Sequence, residues 1–458
     1  MPGEGAHSAP PGLTGPLPVS ELVPNPVRDA SSRSFTDLSL PRPLVDVLRR
    51  RGITTPTPVQ LAVVPDALAG YHVLGRARTG SGKTLAFGLP VLARLAGGTS
   101  RPTAPRALIL LPTRELALQV ADALDPIAAS LGLKLATVYG GAPINKQINR
   151  LRSGVDVVIA TPGRLNDLIE RRACRLDAVE ITVLDEADHL CDLGFFKPVD
   201  ALLASTPQDG QRLLLSATLD GQVDKLVRRH LPRHRLHEVD SADERPDAME
   251  HHLLIAEHTE RVSIARELVT ANPRSIVFTR TRRGAQRLAR QLTQGDVVAV
   301  DLHGDLSQGQ RERNLKRFRS GAASVIVATD VAARGIHIDG IGLVVHYDAP
   351  AEHKAFVHRS GRTARAGESG AVITMTTPAG LHDVVTMQRK AGVSARRHDA
   401  RRAPRPLTVE ALATSGETAP VAPQRTARPQ KQVQGQGQSQ NRNRNRNRNR
   451  RRRPQHAR

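Results

Sequence analysis

The sequence predicts an α/β protein made of two successive parallel-sheet units, and three observations carry that expectation. Short apolar runs alternate with helical patterns through residues 35–235 and again through 248–388. A polar, proline-broken stretch separates the two series. The segments that flank them lack periodic apolar content. At 458 residues the chain is long enough for two cores.

Taken in order, residues 1–34 are rich in Pro, Gly and Ser and read as a flexible N-terminal extension. Residues 35–235 form a first domain, with strand candidates at 107–111, 135–139, 156–160, 181–184 and 212–215 spaced as βαβ crossovers require. Residues 236–247 read as an interdomain linker. A second domain over 248–388 has candidates at 275–279, 297–302, 324–328, 343–347 and 371–376. Two such units facing one cleft put ligand chemistry at the C-terminal ends of their strands. From 389 to 458 the pattern fails: Arg and Pro accumulate, and Asn and Arg alternate from 441 to 450. Such a segment cannot bury enough apolar surface to offset its ordering entropy, so a disordered basic tail is expected.

The formal charge is +22, of which residues 396–458 hold +14. The tail therefore points to an anionic polymer before any motif is considered. Seven Phe, three Tyr and no Trp leave few rings for base stacking, and the cores must be packed from Val, Leu, Ile and Ala. Cys174 and Cys191 are too few for a disulfide framework or a four-thiolate site. No further Cys or His stands at ligand spacing around His251-His252, so no structural metal is expected. No apolar run reaches the roughly 18 residues of a membrane span, and no signal-peptide pattern opens the chain. The protein is expected to be cytoplasmic, away from membranes, and a monomer.

Two motifs carry the chemistry. Ala77-Arg78-Thr79-Gly80-Ser81-Gly82-Lys83-Thr84 follows a short apolar segment and opens a helical pattern, with Ala77 at the first glycine position of a phosphate loop. Small residues let the backbone of Thr79, Gly80, Ser81 and Gly82 converge on phosphate, Lys83 adds a mobile cation, and the Thr84 hydroxyl can reach Mg²⁺. Asp185-Glu186-Ala187-Asp188 ends the apolar run 181–184. Asp185 is suited to hold Mg²⁺, and Glu186 to orient an attacking water and accept its proton. Ser216-Ala217-Thr218, at another strand end, could relay nucleotide state through switching hydrogen bonds; an ordinary helix cap would look the same. In the second domain His358-Arg359-Ser360-Gly361-Arg362-Thr363-Ala364-Arg365 gathers three arginines among small residues, a set suited to stabilise phosphate charge across a cleft.

In this order the motifs resemble those of the DEAD-box family of ATP-dependent RNA helicases, within helicase superfamily 2, over roughly residues 35–380. The resemblance implies two tandem RecA-like domains around an ATP and RNA cleft. It extends to Phe35, Gly52-Ile53 and Pro56-Thr57-Pro58-Val59-Gln60, and implies that Phe35 packs on adenine, Gln60 bonds its edge and ATP is the nucleotide. Pro112-Thr113-Arg114-Glu115-Leu116-Ala117, Gly140-Gly141 and Thr161-Pro162-Gly163-Arg164 resemble the family's grip on the RNA backbone. Arg280, Gln308, Arg311 and Thr329 of the second domain are similar in kind. Arg362 and Arg365 resemble arginine fingers, and Ser216, Thr218, Asp330, Gly335, His358 and Arg359 fall in the coupling motifs. Three positions depart from the family pattern: His337 where Asp is usual, Arg78 where Gln is common, and Ala364 where Gly is usual. The last is tolerable only if the backbone there avoids positive φ.

The implied activity is an RNA-dependent ATPase, using ATP and Mg²⁺, that locally unwinds short RNA duplexes or remodels RNA–protein complexes as its domains close. Contacts of this kind position sugar-phosphate without reading bases, and the basic tail would add sequence-blind RNA contacts. An ATP-driven RNA clamp that seldom unwinds would carry the same motifs. A DNA-directed motor fits them less well.

Overall fold

The computed structural model describes residues 21–22, 33–77, 80–219, 221–239, 249–333, 338, 340–364, 368–415 and 417–418. Arg78, Thr79, Gly335, His337, Arg365, most of the expected linker and the Asn-Arg repeat lie outside the described residues.

The first sheet holds β1 (Glu21–Leu22), β2 (Val73–Arg76), β3 (Ala107–Leu110), β4 (Leu135–Val138), β5 (Val157–Ala160), β6 (Ile181–Leu184), β7 (Gln211–Ser216) and β8 (Arg235–Glu238). Its order is β1-β8-β2-β7-β6-β3-β5-β4, parallel throughout. The second holds β9 (Met249–Ile255), β10 (Ser275–Phe278), β11 (Ala299–Leu302), β12 (Val325–Ala328), β13 (Leu343–His346), β14 (Gly370–Thr376), β15 (Arg396–Asp399) and β16 (Glu417–Thr418). Its order is β11-β12-β10-β13-β14-β9-β15-β16, parallel except for the β15–β16 pair.

Burial on both faces explains the uniform strands. Ala-Leu-Ile-Leu in β3, Val-Val-Ile-Ala in β5 and Ile-Thr-Val-Leu in β6 are buried at every position, as a parallel sheet covered by helices requires. Alternate residues feed opposite layers: Ala107 and Ile109 join one core, Leu108 and Leu110 the other.

Two expected boundaries need correction. The linker placed at 236–247 begins inside β8, which pairs with β2, and Val239 beyond it is buried. The tail expected to stay unfolded from 389 contains folded structure: β15 pairs with β9, and the helix Val409–Ala413 follows. Arg-Arg-His-Asp has no apolar alternation to announce a strand. It is held instead by His398, whose Nε2 lies 3.2 Å from His252 Nδ1, and by the fully buried Leu407 and Leu412. No described helix is long and apolar enough to cross a membrane.

Candidate active site

The phosphate-loop pattern lies between β2 and the helix Lys83–Leu95. Gly80 and Gly82 both have positive φ, +89° and +94°. A side chain at Gly82 would also collide with its neighbours, since a Cβ there would come within 2.6 Å of Gln60 Nε2 and 2.7 Å of Thr57 Oγ1. Gln60 is buried and bridges two segments: its Oε1 accepts from Thr57 N at 3.0 Å, and its Nε2 donates to Gly82 O at 3.0 Å. Gln60 thus braces the loop as well as standing near it. Phe35 is 2% exposed and packs in the first-domain core beside the helix that carries Gln60.

At the end of β6 the chain turns sharply. Glu186 takes φ +52° and ψ +48°, a left-handed conformation that costs a non-glycine residue roughly 1–3 kcal/mol. That turn aims its carboxylate at Lys83, with Nζ 2.9 Å from Oε1 and both side chains largely buried. Burial favours the neutral form of Glu186, but the Lys83 charge and hydrogen bond outweigh it, with His189 and Arg362 adding to the effect, and hold the carboxyl at about 2. Burial pulls the Lys83 ammonium down, yet Glu186 and Asp185 overcome that and raise it. Asp185 goes the other way. Desolvation outweighs Lys83 and, with Glu186 alongside, pushes Asp185 up to about 7. A buried carboxyl so poised favours a cation beside it. Among the described residues no three His, Cys, Asp or Glu could together hold a metal ion. Asp185 and the Thr84 hydroxyl are hard oxygen donors of the kind Mg²⁺ takes when phosphates and water supply its other ligands. Thr84, the second residue of the helix, is half-buried beside this point.

Asp188 is the residue that sequence reasoning left without a role. Its Oδ2 accepts from Thr218 N at 3.1 Å and Thr218 Oγ1 at 3.2 Å, while its own N–H donates to Ser216 Oγ at 3.2 Å. His358 of the second domain brings Nε2 to 3.8 Å from the same Oδ2. The signal was the fourth residue of the acidic run, whose carboxylate lies one helical step beyond the two that face Lys83. Arg362 is buried, and its charge reaches Glu186 across the cleft. Arg359 holds Asp330 through two bonds, 2.5 and 2.7 Å, and donates from Nη1 to Asp348 O at 2.6 Å.

The expected RNA contacts fall into three groups. Pro112, Thr113 and Arg114 follow β3, where the Thr113 hydroxyl caps the helix Arg114–Ser130 by accepting from Leu116 N. Gly141, at φ +80°, leaves room for the Arg114 guanidinium, which lies 4.5 Å over the Tyr139 ring. Thr161, Gly163 and Arg164 follow β5, with Arg164 bonded to Ala142 O at 3.0 Å. Across the cleft, Arg311 and Gln308 share one helix, and Thr329 is buried at the end of β12. Arg280, two residues past β10, donates its N–H to Asp348 Oδ2 at 2.8 Å. The domains also exchange ion pairs that no motif announced. Arg311 Nε sits 2.6 Å from Glu115, and Arg114 Nη2 sits 3.0 Å from Glu312.

Ala364 adopts φ +53°. The condition under which it could replace glycine without cost is therefore not met.

A DEAD/DEAH box helicase family model matches residues 57–226, and a helicase conserved C-terminal domain model matches 260–367. The chain is similar to the chloroplastic DEAD-box ATP-dependent RNA helicase 3A of Zea mays, 41% identical over 374 residues, covering 80% of this chain and 50% of that protein. It is similar to the DEAD-box ATP-dependent RNA helicase CshA of Geobacillus kaustophilus (strain HTA426), 37% identical over 347 residues, covering 75% and 74%. Among solved structures, S. cerevisiae Dbp5 bound to RNA and ADP BeF3 aligns with a TM-score of 0.72 at 28% identity, covering 80% of this chain and 96% of that one. The chain spans about half the length of the curated relatives it matches first.

Proposed function

The chain belongs to the DEAD-box helicase family, and from that premise we propose that it is an RNA-dependent ATPase. Closure of its two domains on ATP and RNA would locally unwind short RNA duplexes or remodel RNA–protein complexes. The observation that carries this reading is a charged cluster with groups from both domains: Lys83 Nζ lies 2.9 Å from Glu186 in the first, and His358 of the second brings Nε2 to 3.8 Å from Asp188.

In this mechanism Lys83 and the loop Gly80–Gly82 bind phosphate oxygens, and phosphate takes over the Lys83 charge that Glu186 now holds. Glu186, freed from that pair, accepts a proton from the attacking water. Thr84 and Asp185 would hold Mg²⁺, which when bound supplies positive charge opposite the phosphates. Arg362, with Arg365 as its partner finger, stabilises the charge that develops during transfer. Asp188, with Ser216, Thr218 and His358, couples that step to the domain contact, and Arg359 on Asp330 keeps the second domain's side of the cleft rigid.

RNA phosphates would replace Glu312 on Arg114 and bind alongside Thr113, Gly141, Thr161, Arg164, Gln308, Arg311 and Thr329, with little base reading. Residues 421–458 hold twelve Lys or Arg and no acid, and act as a sequence-blind RNA tether. The cytoplasm is the proposed location. Phosphate release measured with matched RNA and DNA duplexes tests the reading: RNA alone should stimulate turnover, and equal stimulation by DNA would reject it. Strand release in the same assay separates an unwinding enzyme from a clamp.

A further inference from the structure

Seven strands of the second sheet, β9 to β15, repeat the order of β2 to β8 in the first, so their ends have counterparts. Arg261 opens the helix after β9, as Lys83 opens the helix after β2. Asp348 lies two residues past β13, as Glu186 lies two residues past β6. The counterparts form the same pair: Arg261 Nη2 is 3.3 Å from Asp348 Oδ1. Thr376 matches Ser216 by register with the neighbouring strand, since Ile255 pairs with Thr376 where Arg76 pairs with Ser216.

A cavity of about 660 Å³ opens over this second pair, a size that accommodates a small organic ligand. Its cationic lining is Arg261 and Arg280, and its apolar lining includes Met375, Val384 and Met387. Arg261 is buried, and its Nε has no hydrogen-bond partner among the described residues. Asp348 offsets part of this charge but is already engaged by Arg261 and by Arg280 N. Asp383 also lines the cavity and is a second carboxylate beside Asp348.

The first domain's glycine loop has no equivalent here. Residues 256–260 contain no glycine, and Glu260 turns its carboxylate back onto Glu257 N at 3.2 Å. Without converging amides the site cannot wrap a polyphosphate, but two guanidinium groups suffice for one terminal phosphate. We propose that this cavity is a second anion site, separate from the ATP site, that binds a phosphomonoester of nucleotide size. Arg261 and Arg280 hold its phosphate, and the organic part lies against Met375 and Val384. Because Arg359 bonds to the Asp348 carbonyl and also holds Asp330, the site is joined by direct contact to the second domain's cleft residues.

The test is calorimetric titration of the full chain with AMP, with adenosine as the phosphate-free control. On a Lys83→Ala background, which removes the first domain's phosphate cation, AMP should still bind saturably at one site per chain and adenosine should not. Adding Arg261→Met should raise the Kd at least about tenfold, the loss expected for a charge-assisted pair. Arg280→Ala, at an exposed position that the fold does not depend on, should also weaken binding and covers the case in which Arg261→Met does not fold. Loss of all AMP binding on Lys83→Ala alone, or AMP affinity unchanged by Arg280→Ala, overturns the proposal. RNA-stimulated phosphate release by the wild-type chain is read in parallel. Its absence would remove the helicase reading and leave the AMP result standing.

Discussion

Seven strands of the two sheets share one order, and each sheet carries a cation–carboxylate pair at its strand ends, yet only the first couples that pair to a strained backbone and a glycine loop. Glu186 sits at φ +52°, whereas Asp348 has no positive φ; Gly80 and Gly82 precede the helix that Lys83 opens, whereas Glu260 precedes the helix that Arg261 opens. The difference separates what the two domains share from what the first one adds. A partly buried ion pair roughly breaks even against its desolvation cost, and a left-handed carboxylate persists only where the surroundings force it. Positive φ at Glu186, beside Lys83, is the feature that the second pair lacks.

The largest expected effect breaks the symmetry directly. Glu186→Gln should lower RNA-stimulated phosphate release by roughly 10²–10⁴-fold while leaving nucleotide binding intact. Asp348→Asn, the matching change in the second sheet, should leave turnover within a few-fold. It should instead destabilise the chain by about 1 kcal/mol in urea unfolding, since Asp348 is partly exposed and keeps some hydrogen bonding. Equal loss of turnover from both changes would erase the distinction.

Next in size is the extra strand of the second sheet. A chain ending at 395 loses β15, Leu407 and Leu412, and should lose about 3–5 kcal/mol in urea unfolding from these two buried leucines and the strand pairing. A chain ending at 419 should unfold like the full protein and lose only salt-sensitive RNA affinity. If half of the twelve tail cations bind single-stranded phosphates, the log–log salt slope should fall in magnitude by roughly 4.

Acid–base behaviour sharpens the contrast further. Asp185 sits at about 7 in the folded chain against an ordinary 3.8, so its contribution to stability is full below about pH 4 and is lost as pH rises through 7. Glu186, held at about 2, contributes stability above its ordinary 4.5 that is lost only as pH falls toward 2. Asp185→Asn should therefore flatten the decline in the unfolding midpoint between pH 4 and 7. Mg²⁺–nucleotide affinity, which needs the ionised carboxylate, should rise about tenfold per unit below pH 7 and level off above it. The smallest effect concerns Ala364. Replacing it with Gly should stabilise the chain by about 0.5–1 kcal/mol by relieving its positive φ, as a small upward shift in thermal midpoint would register.

Much of this arrangement was legible in the sequence where one residue pattern has one physical use. The apolar runs of β3, β5 and β6 can only be strands buried on both faces, and Gly80-Ser81-Gly82-Lys83 followed by Asp185-Glu186 has few meanings other than phosphate chemistry. β8 and β15 were hidden because Arg235–Glu238 and Arg396–Asp399 carry their burial on single histidines, His237 and His398, rather than on alternating apolar residues. Asp188, Glu115 and Glu312 were overlooked because their partners come from distant segments, and spacing along the chain does not encode a contact across a cleft.

The most direct measurement is ATP hydrolysis by the wild-type chain and by Arg362→Ala, each with and without a short RNA duplex. A site completed by domain closure predicts that RNA raises wild-type turnover and that Arg362→Ala abolishes the RNA-dependent part while retaining nucleotide binding. Turnover independent of RNA, or RNA stimulation that survives the loss of Arg362, would contradict it.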